Sequence, residues 1–126
     1  MAKRDGQRIK REKSEAMKQT EEWNAARSRI ENQIKELRHR LHTCPEISGQ
    51  ERKTKAALKQ FLEESTNLEL HDCGEGFYAA YRSDMAAPTK KGIAFRADYD
   101  ALALPEGGAA HLCGHDGHAS ALCGAA

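Results

Sequence analysis

His111-Leu112-Cys113-Gly114-His115-Asp116-Gly117-His118 gathers three imidazoles, a thiol and a carboxylate into eight positions, and a small, Ala-rich run from Ala119 to Ala126 follows it. Thiolate and imidazole are the side chains that bind zinc and similar divalent ions, and Cys113-x-His115 offers both from a very short loop. Positions two apart point to nearly opposite faces of a helix but share a face in extended chain. If Cys113 and His115 grip one ion, they therefore lie in extended or looped backbone. A helix then begins only after them, with Asp116 as its N-cap. Such a helix start places a positive end beside the thiol and favours thiolate. A rival reading makes Cys113 a nucleophile polarised by His115, with Asp116 as the orienting third group. His111 and His118 are weaker ligand candidates, because a histidine beside a helix start is readily solvated.

Upstream of this stretch, Ile93-Ala94-Phe95 reads as a strand, entered from the polar loop Pro88-Thr89-Lys90-Lys91-Gly92 and leaving into Arg96-Ala97-Asp98-Tyr99-Asp100. Residues 96, 98 and 100 then share one face at the strand's carboxyl end, where sites form in α/β sheets. Arg96 and Asp98 are either a strand-end salt bridge or a site, in which an acid such as Asp98 fixes the tautomer of a ligating histidine. Leu104-Pro105-Glu106-Gly107-Gly108 is a loop back to the His/Cys stretch. Two further strands are expected, one where Leu68 and Leu70 alternate with polar residues and one over Phe77 to Tyr81, separated by the Gly74-Glu75-Gly76 turn.

Helices precede the strands. Trp23, Ala26, Ile30, Ile34, Leu37 and Leu41 recur at three- and four-residue steps, the stripe of an amphipathic helix that packs on something. Cys44-Pro45 interrupts it. Ser48-Gly49-Gln50-Glu51 has the form of a capping box and opens a second helix, whose apolar face is Ala57, Leu58, Phe61 and Leu62 and whose end falls near Glu64 or Ser65. Residues 1–22 are mostly charged and read as a solvent-exposed helical extension, and residues 23–126 form the domain proper. The expected class is α/β: two amino-terminal helices followed by strands of a mixed sheet.

The 126 residues carry 20 Lys+Arg against 19 Asp+Glu, a net charge of +1. That balance gives no reason to expect nucleic acid or a membrane surface as partner. No run approaches the roughly 20 apolar residues of a membrane span, and the charged start Met1-Ala2-Lys3-Arg4-Asp5 has no apolar core behind it, so a cytoplasmic location is the default. The four cysteines are spread widely and read as reduced thiols, Cys73 and Cys123 as buried or half-buried packing residues.

Arg96-Ala97-Asp98-Tyr99-Asp100-Ala101-Leu102, followed by Cys113-Gly114-His115-Asp116-Gly117-His118-Ala119, resembles the metal-dependent amidohydrolase branch of the M-twenty metallopeptidase family. Its members include hippurate hydrolases, auxin-conjugate hydrolases, N-acyl-amino-acid deacylases and aminobenzoyl-glutamate hydrolases. Arg38 to Glu46, with Glu51 and Thr54 after it, resembles that branch's Leu-His-x-x-Pro-Glu signature, although Cys44 stands where the family has a histidine. The similarity spans roughly residues 34–126. The resemblance implies the amino-terminal part of an incomplete catalytic domain of a zinc-peptidase-like fold. It also implies a small-molecule amide substrate, two divalent metal ions per complete site (Zn, Mn, Co or Ni) and a homo-oligomer as one open state of the full-length enzyme. Cys113 and His115 match the first two metal ligands, and Asp98 matches an acid beside the metals. The family's general base, in a Glu-Glu pair, and its other ligands lie further along than residue 126, so this chain alone is expected to show little or no catalysis. Two other readings stand beside it: a non-catalytic metal-binding or interaction fragment, and a thiol-dependent enzyme using Cys113.

Overall fold

The computed structural model describes residues 2–83 and 91–126, with side chains from residue 12 onward. Its elements are helix α1 (Ala2–His42), helix α2 (Arg52–Ser65), strands β1 (Glu69–Cys73), β2 (Gly76–Ala80), β3 (Leu102–Ala103) and β4 (Ala109–Ala110), and helix α3 (His115–Ala125). This is a mixed α/β arrangement, as expected. The contacts divide the chain into residues 1–33 and residues 34–126. No helix among the described residues is long and apolar enough to cross a membrane.

Residues 12–33 are helical, and their side chains face solvent with the exception of half-buried Ala26. Within this unit the Arg27 and Glu31 side chains pair at 2.7 Å one turn apart, a contact of the kind that gives helices a few tenths of a kcal/mol, about 0.2–0.5. The expected apolar stripe divides here. Trp23 is 70% exposed and Ile30 is 41% exposed, so this half packs on nothing among the described residues, whereas Leu37 and Leu41 are buried. Helical periodicity records a face fit for burial; it does not supply the partner.

In the 34–126 unit, Leu37 and Leu41 from the end of α1, Ala57 and Leu58 from α2, and Ala119 from α3 form one apolar cluster, flanked by Phe61, Phe77 and Tyr99. Gly124 lets α3 lie against α1, since a Cβ there would collide with Ile34 Cδ1 and Cγ1. α1 stops before Pro45, and its last turn carries His39, His42 and Arg40, whose guanidinium charge suits the negative helix end.

The start of α2 departs from the expected capping box. Glu51 occupies the N-cap without a side-chain cap bond, and Ser48 is exposed in a turn where Gln50 N donates to Ile47 O. The free helix donors go instead to Glu46, whose carboxylate accepts from Thr54 N (2.7 Å), Thr54 Oγ1 (2.8 Å) and Lys53 N (3.2 Å). A carboxylate arriving from the preceding loop satisfies several donors at once, which one serine hydroxyl could not do. The carboxyl end falls at Ser65, as expected.

Glu46 sits below its ordinary value of 4.5: partial burial raises it, and the bonds from Thr54 and Lys53 lower it by more. A depressed carboxyl contributes stability above its unfolded pKa and loses that contribution as pH falls through the folded one. Glu46→Gln is therefore expected to destabilise the protein at pH 7 by about 1 kcal/mol. The gap to wild type should close as urea melts are repeated at pH values descending below 4.5; a gap independent of pH would refute this assignment.

β1 and β2 form the expected hairpin, with Cys73 opposite Gly76 and His71 opposite Tyr78, their rings stacked at 4.8 Å. Gly74 takes the positive φ of 58° that the tight turn needs. Lys55 and Lys59 of α2 hold Asp72 at 2.9 and 3.1 Å and so fasten the hairpin to that helix. Cys73 is exposed, not buried as expected, because it ends β1 at the open turn.

The third strand expected at Ile93-Ala94-Phe95 does not form. Residues 91–100 belong to no ladder, and Ile93 and Phe95 are 86% and 78% exposed. A strand is stabilised by a hydrogen-bonded neighbour, and among the described residues none pairs with this segment. The chain is pinned only after it: Ala101 N donates to Glu46 O at 2.7 Å, and Ile47 and Ala101 make an isolated parallel bridge. β3 and β4 then form a short antiparallel pair around the Leu104–Gly108 loop.

Candidate functional site

Gly114 adopts a left-handed conformation (φ 73°), and α3 starts at the next residue, His115. The helix thus begins two residues earlier than an Asp116 N-cap requires, and His115 is helical rather than in the extended or looped chain expected for it. Glycine reverses the chain within a single residue, leaving Cys113 in the turn and His115 as the first helical residue. Asp116 lies inside the first turn and is 1% exposed.

Three widely separated segments meet at this turn. Asp100 Oδ1 lies 2.6 Å from His115 Nδ1. Asp116 Oδ2 receives His42 Nδ1 at 2.8 Å and Arg38 Nε at 3.0 Å. Because ionised carboxylates only accept, both histidines carry their proton on Nδ1 in these contacts. Burial raises the Asp116 carboxyl, and the bond from His42, the neighbouring Gly117 N–H and the charge of Arg38 lower it by more, so it stays below the ordinary aspartate range. The His111 ring is 8% exposed and stacked on His42 at 6.1 Å. It is not solvated, as its position before the helix suggested, because it is tucked against the end of α1. Both His111 nitrogens and Asp116 Oδ1 are buried without a hydrogen-bond partner. His118 is exposed.

A cleft of about 550 Å³ opens beside His115, with Glu51, Glu75, Asp98 and Asp100 on its walls and Arg96 as a cation. Arg96 binds Asp98 at 2.8 Å and holds that carboxyl below the usual range. The salt-bridge alternative for this pair is thus what the geometry shows, and the carboxylate on the histidine is Asp100. Tyr99, in the same wall, donates to Glu75 O, and burial with the nearby carboxylates pushes its phenol up.

The donors present suit a borderline divalent ion. With Nδ1 committed to Asp100, His115 keeps Nε2 free as a donor, the pattern in which a carboxylate orients a ligating imidazole. Cys113 offers an exposed sulfur. Among the described residues no group of three or more His, Cys, Asp or Glu gathers closely enough to hold a metal ion, so the chain presents donors but not a complete set. For the thiol reading, the expected third group is engaged elsewhere: Asp116 faces Arg38 and His42. Cys123 is a packing residue, its thiol pushed up to about 11 by burial.

The reading of the residues one by one places Asp100 on the site face without giving it the contact to His115, and it misses Arg38 and His42. The available signal was their membership in the same motifs, namely Arg96 to Leu102 and Arg38 to Glu46, although neither motif states which side chain touches which.

Comparison with known proteins gives three informative relatives. The chain is 35% identical over 98 residues to "Putative amidohydrolase YhaA" of Bacillus subtilis (strain 168), covering 69% of this chain and 24% of that protein. It is 35% identical over 111 residues to the N-acetyl-L-cysteine deacetylase of the same organism, covering 79% and 26%. It is 34% identical over 116 residues to "Putative glutamate--cysteine ligase 2-3" of Rhodococcus jostii (strain RHA1), covering 82% of this chain but 14% of that protein. The chain therefore spans about a quarter of the length of the first two. No family model and no solved structure matches it.

Proposed function

We propose that this chain is part of a metal-dependent amidohydrolase that cleaves the amide bond of N-acyl amino acids or related conjugates, in the M-twenty branch. The observation that carries the reading is the Asp100–His115 contact of 2.6 Å, which aims an imidazole with a free Nε2 at an acid-lined cleft. The names of the two Bacillus subtilis relatives, an amidohydrolase and a deacetylase, support amide hydrolysis as the reaction class. Cys113 and His115 would be the donors this chain supplies. When bound, the metals would polarise the scissile carbonyl and lower the pKa of an attacking water. The chain's own residues act around that chemistry. Asp100 fixes the tautomer of His115, and Arg96, placed against Asp98, limits the negative charge at the cleft wall.

Reading the coding DNA past codon 126 and assaying the encoded protein on N-acetyl amino acids tests the proposal. Release of free amino acid should be abolished by chelator and restored by zinc, manganese, cobalt or nickel. Hydrolysis that survives chelation but is lost on alkylation would refute it and favour the thiol enzyme.

A further inference from the structure

Asp116 is the least exposed carboxylate among the described residues, and it lies next to a candidate donor without lining the cleft. Its Oδ2 receives two α1 side chains, Arg38 Nε at 3.0 Å and His42 Nδ1 at 2.8 Å. Those two residues lie one helical turn apart near the end of α1, so both reach the same oxygen from one face. Arg38 and His42 are themselves 41% and 49% exposed. Only the carboxylate is taken out of water, and a carboxylate buried this way is strongly unfavourable without its partners. The contact joins residues 74 apart in the chain and sits one position beyond His115.

We infer that Arg38, His42 and Asp116 form a latch that sets the orientation of the Cys113-Gly114-His115 turn, making Asp116 a positioning residue for the metal donors. The inference rests on the proposed metal role of Cys113 and His115. Nothing lies within 4 Å of where a Gly114 Cβ would be, so no packing at that position fixes the turn against its surroundings. Two anchors restrain it: Asp100 holds the His115 ring, and the latch holds the backbone immediately after it to α1. Without the latch, the first turn of α3 keeps its own backbone bonds, such as His118 N to Gly114 O at 3.0 Å. The helix itself survives, and what is lost is its azimuth relative to α1. His111, stacked on His42 with both nitrogens unpartnered, lies under the latch and leaves the His42 ring only one open face.

The test is cobalt(II) binding by the reduced full 126-residue chain, read as the sulfur-to-cobalt charge-transfer band, alongside helix content and melting temperature. Asp116→Asn removes the charge while keeping the shape. His42→Gln removes one arm and leaves Arg38 in place, so it folds even if Asp116→Asn does not. Loss of an orienting partner typically weakens metal binding by about 10–100-fold, and a shift of that size is expected for Asp116→Asn, with a smaller shift in the same direction for His42→Gln. Leu62→Ala, a core change on α2, should lower the melting temperature and leave the cobalt midpoint of the folded protein in place. If wild type shows the band and both latch variants bind cobalt as tightly as it does, the latch is structural only and the inference is overturned while the amidohydrolase reading stands. If wild type shows no band, the donor assignment fails, and the inference with it.

Discussion

Leu58→Ala is expected to cost the 34–126 unit about 2–5 kcal/mol. Leu58 is 2% exposed and sits in the middle of the apolar cluster, touching the region where α1, α2 and α3 meet. The penalty combines lost transfer energy with the cavity left behind, and the cavity closes poorly here. Its neighbours Leu37, Leu41 and Ala119 are carried on different helices, so collapse would require moving whole elements rather than one side chain. Only seven apolar residues are buried among those described. Against a typical domain stability of roughly 5–15 kcal/mol, the loss is a large fraction of the total. Urea melts followed by far-ultraviolet circular dichroism would measure it. Trp23→Ala provides the contrast: at 70% exposure it should change stability by no more than about 0.5 kcal/mol.

The second large effect concerns the site. Asp100→Asn should weaken divalent metal binding by about 10–100-fold, whereas Asp98→Asn should change it far less. The two acids both line the cleft, but the structure gives them different partners. Asp98 is engaged by Arg96 through two nitrogens at 2.8 and 3.1 Å, and Asp100 meets His115 Nδ1 at 2.6 Å. An amide at position 100 accepts from Nδ1 more weakly than a carboxylate does, and it can rotate to present a donor instead, favouring the wrong tautomer. Cobalt or zinc midpoints for the two variants decide the matter. The reverse order of effects would return the orienting role to Asp98.

Local pattern carried a good part of this fold. The end of α2 at Ser65, its apolar face and the hairpin turned at Gly74 follow from periodicity and glycine placement, which act over a few residues. What needed tertiary structure was the choice of partner. Ser48 and Glu51 match a capping box, but Glu46 reaches the α2 donors first because the turn through Gly49 folds it back over them. Ile93 and Phe95 have strand composition, but a ladder depends on a neighbour that composition does not supply. In the site, alternation places residues 96, 98 and 100 together and stops there. Which acid reaches the histidine depends on where Ala101 is pinned, by Glu46 O. Asp116 reads as an N-cap, but the left-handed Gly114 starts the helix at His115 and leaves Asp116 inside the first turn as a buried partner of Arg38 and His42.

The most direct measurement of the central claim is the cobalt(II) spectrum of the reduced chain with and without Cys113→Ser. Cys113 is one of four free thiols, so the substitution isolates its share of any sulfur-to-cobalt band. The account predicts that the band is present in wild type and lost in Cys113→Ser, with Cys73→Ser leaving it intact. A band that survives Cys113→Ser would contradict the assignment of Cys113 as a metal donor.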